Sequence, residues 1–209
     1  MKKILFMGDS ITDSARSREN AHLSGSGYAT LVWAELGYTR PGEFEFINRG
    51  IGGNCIVDLV ARVKRDMINI APDYMSILIG INDVWRELVD SNGVDERWFE
   101  IYYNHLIEQL TEALPNLKIM LLGPFVVHGD ASDIYYDELR RGALQMEAAA
   151  RRVAEKRGLI FIPLFDKFEA ATKLAPDSFW SSDGIHPTPA GHEIIKRAWL
   201  EGFSKLEKE

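Results

Sequence analysis

Apolar residues recur along this chain at two spacings. Ile4-Leu5-Phe6, behind Lys2-Lys3, is a short continuous run and predicts a buried strand over residues 2–6. Phe44-Glu45-Phe46-Ile47-Asn48 alternates, which predicts a second strand near a sheet edge. Tyr74 to Ile79 is almost wholly apolar, the pattern of a central strand covered on both faces. Lys118–Leu122 and Leu159–Ile162 predict a fourth and a fifth strand. Between these runs the spacing turns helical. Gly27 to Leu36 predicts a helix with Gly37 as its C-cap, and Ile56, Leu59, Val60, Val63 and Met67 predict another that stops before Pro72. Apolar residues at 98, 99, 102, 103, 106, 107, 110, 113 and 114 form a stripe over Glu96–Leu114, ended by Pro115. Leu139, Ala143, Met146, Ala150 and Val153 mark a further helix, with basic last turns and Gly158 after it. Phe165–Leu174 predicts a short helix, and Thr188-Pro189 opens the last one, Thr as N-cap and Pro at the first position. Ala15 to Ser26 is polar and reads as a surface loop.

Strands alternating with helices of this length predict an α/β fold: a five-stranded parallel sheet with helices on both faces, a three-layer α/β/α sandwich. No repeat, low-complexity tract or linker divides the chain, so residues 1–209 are expected to form one domain. A net charge of −7 speaks against nucleic acid and against anionic membrane surfaces. No apolar run approaches the ~20 residues that span a bilayer. The apolar segment after the two N-terminal lysines is too short for a secretion signal. A cytoplasmic protein is therefore expected, with a mature secreted form, its signal already removed, left open. The single cysteine, Cys55, allows no internal disulfide.

In a parallel sheet the loops after the strands converge on one edge. That edge receives Ser10 after the first strand and Gly52-Gly53-Asn54 after the second. It also receives Asn82-Asp83 after the third, and Asp183-Gly184-Ile185-His186-Pro187 in the long loop after the fifth. A hydroxyl, a glycine-rich backbone, a side-chain amide and an Asp/His pair are the parts that acyl transfer needs. Each part also has a plainer reading. Asp9, Ser10 and Thr12 suit a turn, with Thr12, Asp13 and Ser14 as caps of a short helix. Asp83 suits an Asx turn at a strand end. Cys55 suits a small buried apolar position better than a thiol nucleophile. Gly52-Gly53 lacks the third glycine of a dinucleotide fingerprint. His22, His105, His128 and His192 show no metal-ligand spacing, so neither metal nor cofactor is expected. No G-x-S-x-G elbow is present, which argues against an α/β-hydrolase proper.

The blocks Gly8-Asp9-Ser10, Gly50-Ile51-Gly52-Gly53-Asn54, Gly80-Ile81-Asn82-Asp83 and Asp183-Gly184-Ile185-His186-Pro187, in that order, resemble the four blocks of the SGNH (GDSL-type) hydrolase superfamily. They span nearly the whole chain. One position departs: Ile11 stands where the family pattern has Leu. The resemblance implies a flavodoxin-like sheet, Ser10 as nucleophile, His186 as general base and Asp183 as its orienter. It also implies an oxyanion hole formed by the N–H groups of Ser10 and Gly53 with the Asn82 amide. Asp9, Trp85 and Trp180 are added as substrate-facing candidates, the two indoles because they flank the catalytic loops. Asn82-Asp83-Val84-Trp85-Arg86 and Asn48–Asn54 resemble the branch that deacetylates xylo-oligosaccharides. The expected activity is thus a serine esterase acting on acetylated oligosaccharides, with a homo-oligomer left open. The alternatives are a lysophospholipase or acyl-thioesterase of the same superfamily and, in another class, a non-catalytic carbohydrate-binding protein.

Overall fold

In chain order the elements of the computed structural model are β1 (Lys2–Gly8), α1 (Ser10–Asp13), α2 (Tyr28–Thr39), β2 (Phe44–Asn48), α3 (Ile56–Ala61), α4 (Val63–Asp66) and β3 (Tyr74–Leu78). They continue with α5 (Ile81–Asp90), α6 (Glu96–Ala113), β4 (Lys118–Leu122), α7 (Tyr136–Arg157), β5 (Ile160–Ile162), α8 (Phe165–Thr172), α9 (Asp177–Trp180) and α10 (Pro189–Leu206). The structure describes residues 1–20 and 22–208; Ala21, inside the loop expected over 15–26, and Glu209 lie outside the described residues.

All five strands are parallel, in the order β2-β1-β3-β4-β5. β3 is buried at every position, as a continuous apolar run in the middle of a sheet requires. β2 is one of the two edge strands, and its alternation survives there: Phe44 and Phe46 are buried and Glu45 is exposed. Ile4 of β1 pairs with Phe46 on one side and Tyr74 on the other. Helices α2 and α10 pack together on one face, and α3, α6 and α7 cover the other. Trp199 of α10 is fully buried, its ring 5.3 Å from Phe6 and 4.9 Å from Phe203. The chain winds outward from β1 to β2, then returns past β1 to β3 and runs on in the opposite direction. The reversal falls between β1 and β3, the place where an open α/β sheet leaves its strand ends free of crossover helices.

Several boundaries differ from the sequence expectation. α2 runs past Gly37 to Thr39; Gly37 does not take the left-handed conformation, and the Arg40 N–H closes the helix on Leu36 O at 2.8 Å. The helix expected from Ile56 to Met67 breaks at Arg62, which leaves helical geometry (φ −110°, ψ 9°). Its guanidinium turns inward to donate to Arg49 O at 2.7 Å and Gly8 O at 3.2 Å. α5 was expected only as a strand ending, yet Ile81, Val84, Trp85 and Leu88 already have helical spacing. α9 was not expected, and α8 ends at Thr172, before Leu174.

Trp199→Ala should cost about 3–5 kcal/mol, the usual penalty for emptying a large aromatic site. Urea unfolding followed by circular dichroism checks this. One sheet spanning the chain also predicts a single transition in wild type and variant. Two separated transitions would contradict a single folding unit.

Candidate active site

β1 delivers Ser10 through a turn that only glycine can make. A Cβ on Gly8 would lie 2.3 Å from both Leu78 O and the Thr12 hydroxyl. The next residue, Asp9, caps α1: its Oδ1 accepts from Ile11 N at 2.9 Å. Of the expected cap residues, Asp9 closes the start of α1 and Ser14 its end, the Ser14 N–H donating to Ser10 O at 2.9 Å, while the Asp13 side chain is used elsewhere. Asp13 pairs with Arg18 and accepts from Gly52 N at 3.1 Å. Asn48 Nδ2 donates to Thr12 O at 2.7 Å, and Ile51 N donates to Gly8 O at 3.1 Å. The loops after β1 and β2 are thus stitched into one unit, and Gly52 lies against Ser10: a Cβ there would be 3.7 Å from the serine Cβ.

The loop before α10 brings the other two polar groups. An antiparallel bridge between Ser181 and Pro187 pinches it shut. Inside, Asp183 Oδ1 accepts from the Ile185 and His186 N–H groups at 2.9 and 2.7 Å, and Ser181 Oγ donates to His186 O at 2.8 Å. Asp183 Oδ2 lies 2.6 Å from His186 Nδ1, and His186 Nε2 lies 2.8 Å from Ser10 Oγ. Partial burial pushes the Asp183 carboxyl up, but hydrogen bonds from the His186 ring and the two backbone N–H groups outweigh it and hold the group below its ordinary value. An ionised carboxylate only accepts, so Nδ1 carries the proton and Nε2 offers its lone pair to the serine hydroxyl. The His186 side chain is half exposed, so solvent and substrate reach it directly.

The segment after β4 buttresses this loop and was missed in the sequence. Ala131 N and Ser132 N both donate to Asp183 O, at 3.0 and 3.1 Å, and Val127 N donates to Gly184 O at 3.0 Å. Ser132 Oγ, fully buried, donates to Val127 O at 2.7 Å. Nothing in its composition announces this, because the bonds to the Asp183 loop are backbone to backbone.

α5 brings Asn82, whose Nδ2 donates to Asn54 O at 3.1 Å, beside the glycine turn. Asp83 has the structural place expected of it, though by a longer reach: its carboxyl is fully buried and accepts from Ile56 N at 3.1 Å, at the start of α3. Asp9 was grouped with substrate-facing residues, but it has no exposed surface and faces its own helix turn. Burial pushes its carboxyl up to about 7, against the pull of Ile11 N–H and His186. Burial likewise pushes Asp83 up to about 8, with the Asp9 charge adding to the rise. Cys55 is buried at the start of α3, and burial raises its thiol to about 12, so it stays protonated. Trp85 and Trp180 are half-buried and pack in part on the core. Trp180 O accepts from Thr188 N at 2.8 Å, so its backbone forms one corner of the Asp183 loop. His192 is buried, with Nδ1 accepting from Tyr28 N at 3.1 Å. Among the described residues, no three His, Cys, Asp or Glu side chains come together as a metal cluster. A groove of about 1220 Å³ between α5, α6 and α7, with Leu88, Ile101 and Met146 among its walls, is lined by none of Ser10, Asp183 or His186.

Known proteins share this sequence pattern and fold. The pattern of the GDSL-like lipase/acylhydrolase family matches residues 6–194. An acetylxylan esterase from Geobacillus stearothermophilus is 35% identical over 207 residues, covering 95% of this chain and 92% of the relative. The crystal structure of that organism's acetylxylan esterase Axe2 superposes with a TM-score of 0.85 at 32% identity, over 96% of this chain and 93% of its own. Its solved catalytic mutants include a serine and an aspartate each replaced by alanine. A GDSL-like lipase candidate from Parabacteroides merdae superposes with a TM-score of 0.92 at 34% identity, over 97% of this chain and 95% of its own.

The buried Asp83 carboxyl gives a pH signature. A pKa raised from 3.8 to about 8 means that the folded protein holds the proton more tightly than the unfolded chain. The stability this group contributes therefore falls as pH rises from about 4 and levels off above about 8. Asp83→Asn, which cannot ionise, should gain on wild type across that window. Urea midpoints at a series of pH values check this, and a difference that stays constant with pH would show a carboxylate ionised throughout.

Proposed function

We propose that this chain, which belongs to the GDSL-like lipase/acylhydrolase family and is a carboxylic ester hydrolase, removes acetyl groups from short acetylated xylo-oligosaccharides or related sugars through an acyl-enzyme on Ser10. What carries this is the unbroken hydrogen-bond chain from Asp183 through His186 to Ser10, at 2.6 and 2.8 Å, in a protein 35% identical to an acetylxylan esterase.

His186 Nε2 takes the Ser10 proton as Oγ bonds to the acyl carbon, and the carbonyl π electrons move onto its oxygen. The imidazolium that forms is stabilised by Asp183, and the oxyanion accepts from the N–H groups of Ser10 and Gly53 and from the Asn82 amide. Asn82 uses one amide hydrogen on Asn54 O and has a second for the oxyanion. As the intermediate collapses, the ester C–O bond breaks and the sugar oxygen takes the proton from Nε2. Water then repeats the sequence on acyl-Ser10: His186 takes its proton, acetate leaves and Ser10 regains a hydrogen. The preference for acetyl rests on the Geobacillus relative, and Trp85 and Trp180 are proposed to face the acyl and sugar side of the site. Among the described residues, no helix is long and apolar enough to cross a membrane.

Ser10→Ala should fold and lose at least ~10³-fold in activity. Asn82→Ala should lower kcat by roughly 10²–10³-fold with little change in KM, because the amide bonds the oxyanion more strongly than the ground-state carbonyl. Wild-type kcat/KM should fall along the series acetyl, butyryl, octanoyl, by about 1–3 kcal/mol for each methylene that does not fit. Steady-state assays on aryl esters and acetylated xylo-oligosaccharides read all three. Octanoyl esters cleaved faster than acetyl esters would replace the deacetylase with a lipid hydrolase.

A further inference from the structure

Three side chains on one face of α5 reach the loop that follows β2. Arg86 Nη2 donates to Gly53 O at 2.7 Å, Asn82 Nδ2 donates to Asn54 O at 3.1 Å, and Asp83 accepts from Ile56 N at 3.1 Å. The residues they hold are a tight turn. Asn54 N donates to Ile51 O at 3.2 Å, and Gly53, the third residue of that turn, has φ +77°.

That φ is the value a type II turn takes at its third position; a type I turn has a negative φ there. The two forms differ by a flip of the central peptide, here Gly52–Gly53. The flip reverses the direction of the Gly53 N–H. With glycine on both sides of the peptide, neither form is sterically barred, so the local sequence does not choose between them. Tertiary bonds do. Asp13 Oδ2 holds Gly52 N–H at 3.1 Å on the leading side, and Arg86 holds the Gly53 carbonyl on the trailing side. A bond from a charged donor is about twice as strong as a neutral one. Arg86 is also close on the side-chain face: a Cβ on Gly53 would sit 3.3 Å from its Nη2.

We infer that Arg86 is a positioning residue: by gripping the Gly53 carbonyl it anchors the Gly53–Asn54 peptide and so fixes where Gly53, and with it the Gly53 N–H, stands relative to the oxyanion formed at Ser10. This deepens the proposed reaction and rests on Ser10 being its nucleophile. Arg86 touches no reacting atom. Its loss should mis-aim one donor while leaving the substrate-contacting side chains in place.

The test compares Arg86→Met, which keeps the apolar stem and removes the donors, with Arg86→Lys, Arg86→Ala and Ser10→Ala. The substrate is an aryl acetate, and each variant is first checked for folding by thermal melting. Arg86→Met should lower kcat by about 10–100-fold, less than the roughly 10²–10³-fold for deleting a donor outright, with KM within about twofold of wild type. Arg86→Lys should recover part of kcat. Ethylguanidinium, added at tens of millimolar, should raise kcat of Arg86→Ala several-fold and saturably, while tetramethylammonium at equal ionic strength should not. Loop support of a general kind would give neither recovery. Wild-type kcat in Arg86→Met, or a loss confined to KM, would overturn the inference while an inactive Ser10→Ala left the nucleophile standing. An active Ser10→Ala would overturn both.

Discussion

A parallel sheet whose winding direction reverses must leave a gap at the reversal, and in this chain the gap falls between β1 and β3. Much of the candidate site follows from that constraint. Ser10 stands at the end of β1 and Asn82 at the end of β3, so the two strands flanking the gap each contribute one group to it. β2, on the far side of β1, folds its following turn back over Ser10. Only the Asp183–His186 pair comes from outside the gap. It arrives on a loop held by a bridge at its base and by the segment after β4 along its side.

The layer beneath Ser10 is more polar than a stability argument alone would predict. Asp9, Asp83, Arg62 and Asn48 are all buried, and burying such groups is costly unless they are bonded. Each bonds backbone, and Arg62 also pairs with the buried Asp66 at 3.1 Å. Asp9 holds Ile11 N, Asp83 holds Ile56 N, Arg62 holds the carbonyls of Gly8 and Arg49, and Asn48 holds Thr12 O. Their common effect is to fix loops that have little regular structure of their own. A reaction that depends on donors placed within a few tenths of an ångström needs that rigidity. The raised carboxyls of Asp9 and Asp83 show what the burial costs.

Much of this was legible before the fold was known, for identifiable reasons. Continuous apolar runs gave β1, β3 and β4, and the alternation of Phe44–Asn48 gave the edge strand. The convergence of strand-end loops brought Ser10, Gly53, Asn82, Asp183 and His186 to one edge. What escaped had weaker signals. α5 was hidden because its first turn coincides with a motif that was read as a strand ending, and with it went the relation of Asn82 to Arg86, four residues on and one helical turn away. The break at Arg62 depends on two distant carbonyls. The support of Asp183 by Ala131 and Ser132 runs through backbone atoms that every residue type carries. Asp9 carried two readings, a substrate-facing group and a local turn and cap residue; the turn at Gly8 sends it inward, and the second holds.

The most direct measurement is the mass of the enzyme caught in mid-turnover. Wild type mixed with an activated aryl acetate and quenched in acid within milliseconds should carry one acetyl group, located on the peptide that contains Ser10. The adduct should appear with the first equivalent of phenol released and disappear when substrate is exhausted. Phenol release with no covalent adduct, or an acetyl group that forms at the kinetically competent rate on any other residue, would contradict the account.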